Sequence, residues 1–352
     1  MNYSIGCDAH KKYSVFVALD EQGQASRPVR VEHDREQYRQ FLRLLPPGSP
    51  IALEATANWY WMVDEMEQAA HFPLLTEAKK AKAMMANRNK SDKLDARGLA
   101  LLLHNGTLPT VWIADAQTRD LRELSRMRMA LVGMQTRLKN RIHASFSRYG
   151  TVFEAADLFG TVGRQSLGQA LSALPPQHRY SVEQHLILLD ELQQRIQNIQ
   201  QHMQRVFRQT PAMKLLDTIP GVGEVLSAVM ALEIGDINRF PCAERLVSYA
   251  GLVPRTYSSG GRTRRGSIAP DVNRTLRWAF VEAASVVILN HKRPSWKNRS
   301  LVRLYERVRA HKEPQLATVA VARQLAESAF WVLKKQQPYR EPQGCTVLSS
   351  SR

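Results

Sequence analysis

Cysteine is scarce in this 352-residue chain: Cys7, Cys242 and Cys345 are far apart and odd in number. That excludes a disulfide framework and fits a reducing cytoplasm. No Cys-x-x-Cys or His-Glu-x-x-His pattern occurs, so a zinc centre of either kind is not expected. The phosphate loop Gly-x-x-x-x-Gly-Lys-Ser/Thr is also missing, which argues against an ATPase. No stretch of about 18 uninterrupted apolar residues is present, so no membrane span and no membrane partner are expected. Met1-Asn2-Tyr3-Ser4 does not lead from basic residues into an apolar run, so no signal peptide is expected. Acid is the scarcer charge: 32 Asp and Glu stand against 49 Lys and Arg, a formal net charge of +17. A balance this basic points to a polyanionic partner, nucleic acid first.

What is present divides along the chain. Residues 1 to about 115 alternate strand and helix signals. Strands are expected over Tyr3–Asp8, Tyr13–Leu19, Pro28–Val31 and Pro50–Leu53. Helices are expected over Glu36–Leu45, Trp59–Ala70, Ala78–Ala86 and Asp92–Leu103. This order implies a layered α/β domain. Next, Leu121, Leu124, Met127 or Arg128, Leu131, Met134, Leu138 and Ile142 recur at steps of three and four, as do Leu189, Leu192, Ile196, Ile199, Met203 and Val206. Two long amphipathic helices follow, as an antiparallel coiled coil or a plain bundle. The first reads as a basic rod through Arg119, Arg122, Arg126, Arg128, Arg137, Lys139, Arg141 and Arg148, either a solvated face or a phosphate track. From Thr210 the chain is helical again, broken by a Gly- and Ser-rich loop at Tyr257–Gly266. Leu316–Leu333 reads as a last buried helix, and residues 337–352 as a disordered tail.

Four acids stand out. Asp8 and Glu54 each end an apolar strand, where side chains of layered α/β folds meet in a crevice. Asp92 and Asp95 share a helix face just after a capping Ser91. Each taken alone reads as a cap, a turn residue or a dipole partner. Gathered in a basic protein, they need a cation to stay ionised together. Magnesium takes oxygen donors, and paired metals clamp the attacking and leaving oxygens of a phosphodiester. Lys11, Lys12, Arg88, Lys90 and Lys93 stand nearby in sequence to hold the nucleic-acid backbone, with Trp59 and Tyr60 as stacking or core aromatics.

Two further segments carry phosphate chemistry. Thr218-Ile219-Pro220-Gly221-Val222-Gly223 before a helix resembles a helix-hairpin-helix turn, in which Gly221 and Gly223 free backbone N–H groups for phosphate; a plain linking turn is the alternative. Arg255-Thr256-Tyr257-Ser258-Ser259-Gly260-Gly261-Arg262-Thr263-Arg264-Arg265 sets two serines among arginines able to neutralise a phosphoryl group. Composition alone makes it a phosphate-binding loop.

These segments together resemble one family. IGCDAHKK, ALEATANWY, NKSDKLDARGLA, TIPGVGEVLSAVMALEIGD and YAGLVPRTYSSGGRTRRG are similar, in order and spacing, to the DEDD-type transposases of bacterial insertion sequences. This is the insertion-sequence 110 family with its 1111 group, including the Piv-type invertases and the bridge-RNA-guided recombinases. The resemblance implies a RuvC-like, ribonuclease-H-type domain at 1–115 with Asp8, Glu54, Asp92 and Asp95 holding Mg2+ or Mn2+. It implies a coiled-coil connector at 116–208 that assembles homodimers into homotetramers. It implies an all-α transposase domain at 209–336, whose serine, Ser259 by the family's Tyr-x-Ser-Gly context, attacks DNA and becomes a covalent phosphoserine. Arg255, Arg262, Arg264 and Arg265 would bind phosphate beside it. Donor and target DNA, a noncoding bridge RNA and a cytoplasmic, nucleoid-associated location complete the expectation. Thr56-Ala57-Asn58 and Ile268-Ala269-Pro270-Asp271 depart from the family's usual residues. Two other readings compete: a RuvC-like, structure-specific nuclease using water, and a non-catalytic nucleic-acid binder.

Overall fold

The computed structural model describes residues 3–85, 91–154, 157–254, 256–259, 262–266, 268 and 271–342, with backbone alone for 256–259 and 262–265. The chain forms two compact units, Met1–Gln117 and Thr118–Arg352.

The first unit is mixed α/β around one sheet. Its elements are β1 (Ser4–Ala9), β2 (Tyr13–Leu19), β3 (Val29–Glu32), α1 (Arg35–Leu44), β4 (Pro50–Glu54), α2 (Trp59–Gln68), β5 (Phe72–Thr76), α3 (Ala78–Met85), α4 (Asp92–His104) and β6 (Thr110–Val111). The strand order is β3-β2-β1-β4-β5-β6. β1, β2 and β3 form an antiparallel meander, β4 and β5 continue parallel to β1, and β6 closes the edge antiparallel. The central strands β1, β2 and β4 are buried on both faces, as a covered sheet requires, while the edge strands β3 and β6 are largely exposed. Alternation sorts their side chains. Ile5, Cys7, Phe16, Ile51 and Leu53 pack with Tyr38, Leu42, Met62 and Met66 of α1 and α2. Val15 and Val17 meet Ala96, and Ala52 meets Ala81, Leu99 and Leu102, from α3 and α4. At Gly6 the approach is closest: an added Cβ would lie 2.0 Å from the Ala96 carbonyl oxygen and 2.6 Å from the Ala100 nitrogen. The bare backbone of β1 is what lets α4 lie against it.

The second unit is helical. It holds α5 (Ala116–Ser147), α6 (Thr161–Ala170), α7 (Pro176–Val206), α8 (Pro211–Asp217), α9 (Glu224–Ile234), α10 (Ala243–Tyr249), α11 (Arg274–Leu289), α12 (Pro294–Lys297), α13 (Ser300–Arg309) and α14 (Pro314–Lys335). α5 and α7 run antiparallel: Gln135 bonds Gln193 at 2.6 Å, while Arg128, earlier on α5, reaches Gln200, later on α7, at 3.4 Å. Their far ends enclose a small core of Ile142, Phe146, Leu167, Val182 and Leu189. The main core gathers Leu276, Phe280, Leu325 and Phe330 with α9 and α10. Among the described residues, α14 is the one helix long and apolar enough to cross a membrane; half of its most apolar window is buried inside this unit.

Three expectations change here. The loop expected at Tyr257–Gly266 contains a β-hairpin, β7 (Thr256–Ser259) and β8 (Arg262–Arg265), with Ser259 paired to Arg262. Gly260-Gly261 between two runs is a hairpin signal that the arginine-rich composition obscured. The basic rod is not one solvated face. Arg119 and Arg122 are buried, and Arg128 contacts Gln200 and the Trp278 ring; Arg137, Arg141 and Arg148 remain exposed. The polar stretch from Gln337 begins by docking on this unit: the Tyr339 N–H donates to Thr218 Oγ1 at 2.8 Å. Residues 343–352 lie outside the described residues.

Candidate active site

The parallel register of β1 and β4 pairs Cys7 with Leu53, so Asp8 and Glu54 come next, side by side, at the strand ends. Both are buried, at 8% and 7% exposure. α4 delivers the other two acids from above. Ser91 caps it, accepting from the Leu94 N–H, which sets Asp92 and Asp95 in its first turn. The contact at Gly6 presses this helix against β1 and so brings the helix start to Asp8.

The Asp8 carboxyl is pushed up to about 6. Burial is the main cause; Asp95, Glu54 and Asp92 add repulsion, and His10 opposes them. All four carboxylates therefore share one field. Asp92 moves the other way, held low chiefly by a 2.9 Å hydrogen bond from the Tyr13 hydroxyl. Its exposure keeps it an ordinary carboxylate ready to bind a cation.

His10 is the residue the sequence reading passed over. Its Nε2 lies 3.2 Å from Asp8 Oδ2 and 3.2 Å from Asp92 Oδ2. The three side chains offer ligand atoms within 4.8 Å of one another. Its ring lies 4.7 Å from that of Tyr13, which in turn carries the Arg30 guanidinium 3.7 Å above its face. Asn58 Nδ2 donates to the His10 carbonyl at 2.9 Å and holds the turn that carries the imidazole. Thus one residue of the departing Thr56-Ala57-Asn58 stretch has a local task. Asp-x-His at a strand end was the available signal.

The donor set fits a divalent cation. Asp8 Oδ2 and His10 Nε2 are buried atoms 3.2 Å apart, and among the described residues neither has a partner in good hydrogen-bond geometry. A cation between them and Asp92 would satisfy both and offset the repulsion that raises Asp8. Magnesium takes the oxygens; manganese accepts the imidazole nitrogen as well.

The other expected positions scatter. Lys11, Lys12 and Lys93 are exposed on the first unit, whereas Arg88 and Lys90 lie outside the described residues. Trp59 packs on the core and meets Tyr60 edge-on at 4.4 Å; Tyr60 is exposed. In the second unit α8, a turn and α9 form a helix–turn–helix. Gly221 takes φ +84°, and an added Cβ would lie 2.4 Å from the Ala283 carbonyl, so this glycine serves packing against α11. Gly223 is open at the start of α9, beside the acidic Glu224. Ser259 ends β7, and Arg262, Arg264 and Arg265 lie on β8. Arg255 lies outside the described residues.

Residues 5–150 match a transposase family model of the DEDD insertion-sequence 110 type. Residues 213–300 match the model described as the transposase IS116/IS110/IS902 family. The chain belongs to the IS110/IS116/IS902 transposase family. A probable family 20 transposase of Pseudomonas aeruginosa is 25% identical over 347 residues, covering 97% of this chain and 99% of that protein. The transposase for insertion sequence element IS1111A of Coxiella burnetii is 24% identical over 338 residues, covering 96% and 91%. A pilin gene-inverting protein of Moraxella bovis is 29% identical over 126 residues, covering 36% of this chain and 38% of that protein. This transposase is thus a DNA-recombining enzyme, and membership implies a divalent metal and a DNA substrate. The DEDD match spans all four acids and His10.

Proposed function

We propose that this transposase cuts and rejoins DNA through a phosphoserine link formed by Ser259, with Mg2+ on Asp8, Glu54, Asp92 and Asp95. The observation that carries the reading is the convergence of Asp8 from β1, His10 and Asp92 from the first turn of α4 on one cation-fitting corner, with Glu54 of β4 beside Asp8. A cation bound there supplies positive charge beside the scissile phosphate. The first unit then serves as a ribonuclease-H-type, RuvC-like domain; its antiparallel meander followed by parallel strands supports that reading. α5 and α7 act as the connector that assembles dimers into tetramers, and the region from residue 209 as the transposase domain with a helix-hairpin-helix-like turn.

In the chemical step the Ser259 oxygen forms a bond to phosphorus while a deoxyribose oxygen leaves and takes up a proton; the serine hydroxyl gives one up. One phosphodiester replaces another, so rejoining needs no ATP. The β7–β8 register sets Ser259 opposite Arg262 at the hairpin tip. Arg262, Arg264 and Arg265 offset the charge on the phosphoryl group. Donor and target DNA are chosen by base pairing to a noncoding bridge RNA, and the net charge of +17 suits both polyanions. Such a substrate places the enzyme in the cytoplasm with the nucleoid.

Ser259→Ala tests this. Incubated with a plasmid carrying the insertion element and its native flanks, the parent protein should yield a protein–DNA adduct that survives denaturation. The variant should yield none. Cleavage that persists without any adduct would favour a nuclease using water.

A further inference from the structure

A second cluster of buried charge lies in the helical unit. Glu233, on the last turn of α9, is fully buried. Arg126 of α5 grips its carboxylate with Nε to Oε1 at 3.0 Å and Nη2 to Oε2 at 3.1 Å. Arg122 donates to the Leu232 carbonyl at 2.9 and 2.7 Å and to the Glu233 carbonyl at 3.2 Å, and its Nε lies 3.6 Å from Oε2. Those carbonyls are at the end of α9, where cations are favoured. The remaining carboxylate partner is Asn273, whose Nδ2 donates to Oε2 at 2.8 Å.

Asn273 is not on the arm. It is the residue at which the chain returns from the β7–β8 hairpin. The same Nδ2 donates to the Tyr249 hydroxyl at 3.0 Å, and the Asn273 N–H donates to the Tyr249 carbonyl at 2.8 Å. Tyr249 ends α10, just before the hairpin segment begins. Two residues on, Gly251 takes φ +67°, and an added Cβ would lie 2.7 Å from Val272 Cγ2, so outgoing and returning chains touch. Asn273 Oδ1 meanwhile accepts from the Leu276 N–H at 2.9 Å and caps α11. The hairpin therefore springs from a clasp of Tyr249 and Asn273, and Glu233 holds that clasp.

Packing alone does not call for this arrangement. Apolar side chains of similar volume fill a core without desolvating a carboxylate and a guanidinium. Directional bonds do what apolar contacts do not: they fix the angle at which a segment leaves the core. We infer that Glu233 is the positioning residue for the hairpin that presents Ser259, locking its base to the arm helix α5 through Arg122 and Arg126. The inference rests on the reading of Ser259 as nucleophile, but its structural half is testable without it.

Asn273→Asp keeps the oxygen that caps α11 and turns the other end into a carboxylate facing Glu233. Backbone amides of Thr256–Ser259 and Arg262–Arg265 should then exchange with deuterium at least ~10-fold faster, the scale of one lost charge-assisted hydrogen bond. Adduct formation on the element-bearing plasmid should fall by a similar factor. Glu233→Gln removes the charge that Arg126 and Asn273 share at Oε2 and should accelerate hairpin exchange in the same way while α14 stays unchanged, a local effect that a general loss of structure would not show. Tyr249→Phe, a milder change removing one hydroxyl, should accelerate exchange in the hairpin and leave α14 unchanged. Unchanged hairpin exchange in Tyr249→Phe, in folded Asn273→Asp or in folded Glu233→Gln would overturn the inference. Should Ser259→Ala still form the adduct, the nucleophile assignment fails while the exchange results stand.

Discussion

Gly6→Val is expected to abolish recombination and any thermal stabilisation by a divalent cation. The glycine has an ordinary strand position, so backbone strain is not the cause. Space is: the Ala96 carbonyl oxygen would lie 2.0 Å from the new Cβ, and this oxygen belongs to helix backbone that cannot rotate away. α4 must lift by an ångström or more, and Asp92 and Asp95 travel with its first turn. Misplacement on that scale costs on the order of 100-fold in rate. Overpacking adds about 1–3 kcal/mol of instability. Gly6→Ala should show the same defects with a smaller fall in melting temperature. Full recombination by folded Gly6→Ala would show that α4 does not set the site.

Asp8→Asn should do two things usually opposed: abolish recombination and stabilise the metal-free protein. The Asp8 carboxyl rises from 3.8 to about 6 in the fold. A carboxyl raised on folding contributes stability below its unfolded value, and that contribution is lost as pH climbs through the folded value. Without cation, the parent protein should therefore be destabilised at this group between about pH 4 and pH 6, reaching on the order of 2–3 kcal/mol above that window at 1.36 kcal/mol per unit. Asn cannot ionise and escapes the penalty, so the variant's stability should lose that part of its slope. Denaturant melts in EDTA at pH 5 and pH 7.5 measure it. Mg2+ should stabilise the parent at pH 7.5 and leave Asp8→Asn nearly unmoved. A variant less stable than the parent in EDTA at pH 7.5 would contradict the cost of burying the Asp8 charge beside the other acids.

Much of this was legible in sequence because local signals agreed with global needs. β2 (Tyr13–Leu19) matches its run of β-formers residue for residue, and α4 starts where Ser91 and its acids place it. β5 was not legible: Phe72-Pro73 opens it, and proline reads as a breaker even where it begins a strand. β6 has two residues and no periodicity to detect. α6 was hidden by Gly163 and Gly168, which weaken a helical pattern. At Gly163 the missing side chain admits the chain itself, since a Cβ would lie 2.2 Å from the Asp157 carbonyl.

At the site, the acids could be proposed from strand ends and helix spacing; His10 left only the weak signal of Asp-x-His, and Tyr13 left none. They act across the sheet edge, through partners 79 positions apart in the case of Tyr13 and Asp92. The rod of arginines misled for the same reason. Its period says that residues share a face, not whether the face is wet; Glu233, over 100 positions away, turns Arg122 and Arg126 inward.

The chemistry proposed for this transposase requires a divalent cation at the corner made by β1, β4 and α4. Crystals soaked in manganese chloride and measured above the manganese edge give the direct answer. The expected result is an anomalous peak about 2.1 Å from the Asp8 and Asp92 carboxylate oxygens. A protein that is otherwise ordered but shows no peak there, or binds manganese only elsewhere, would contradict it.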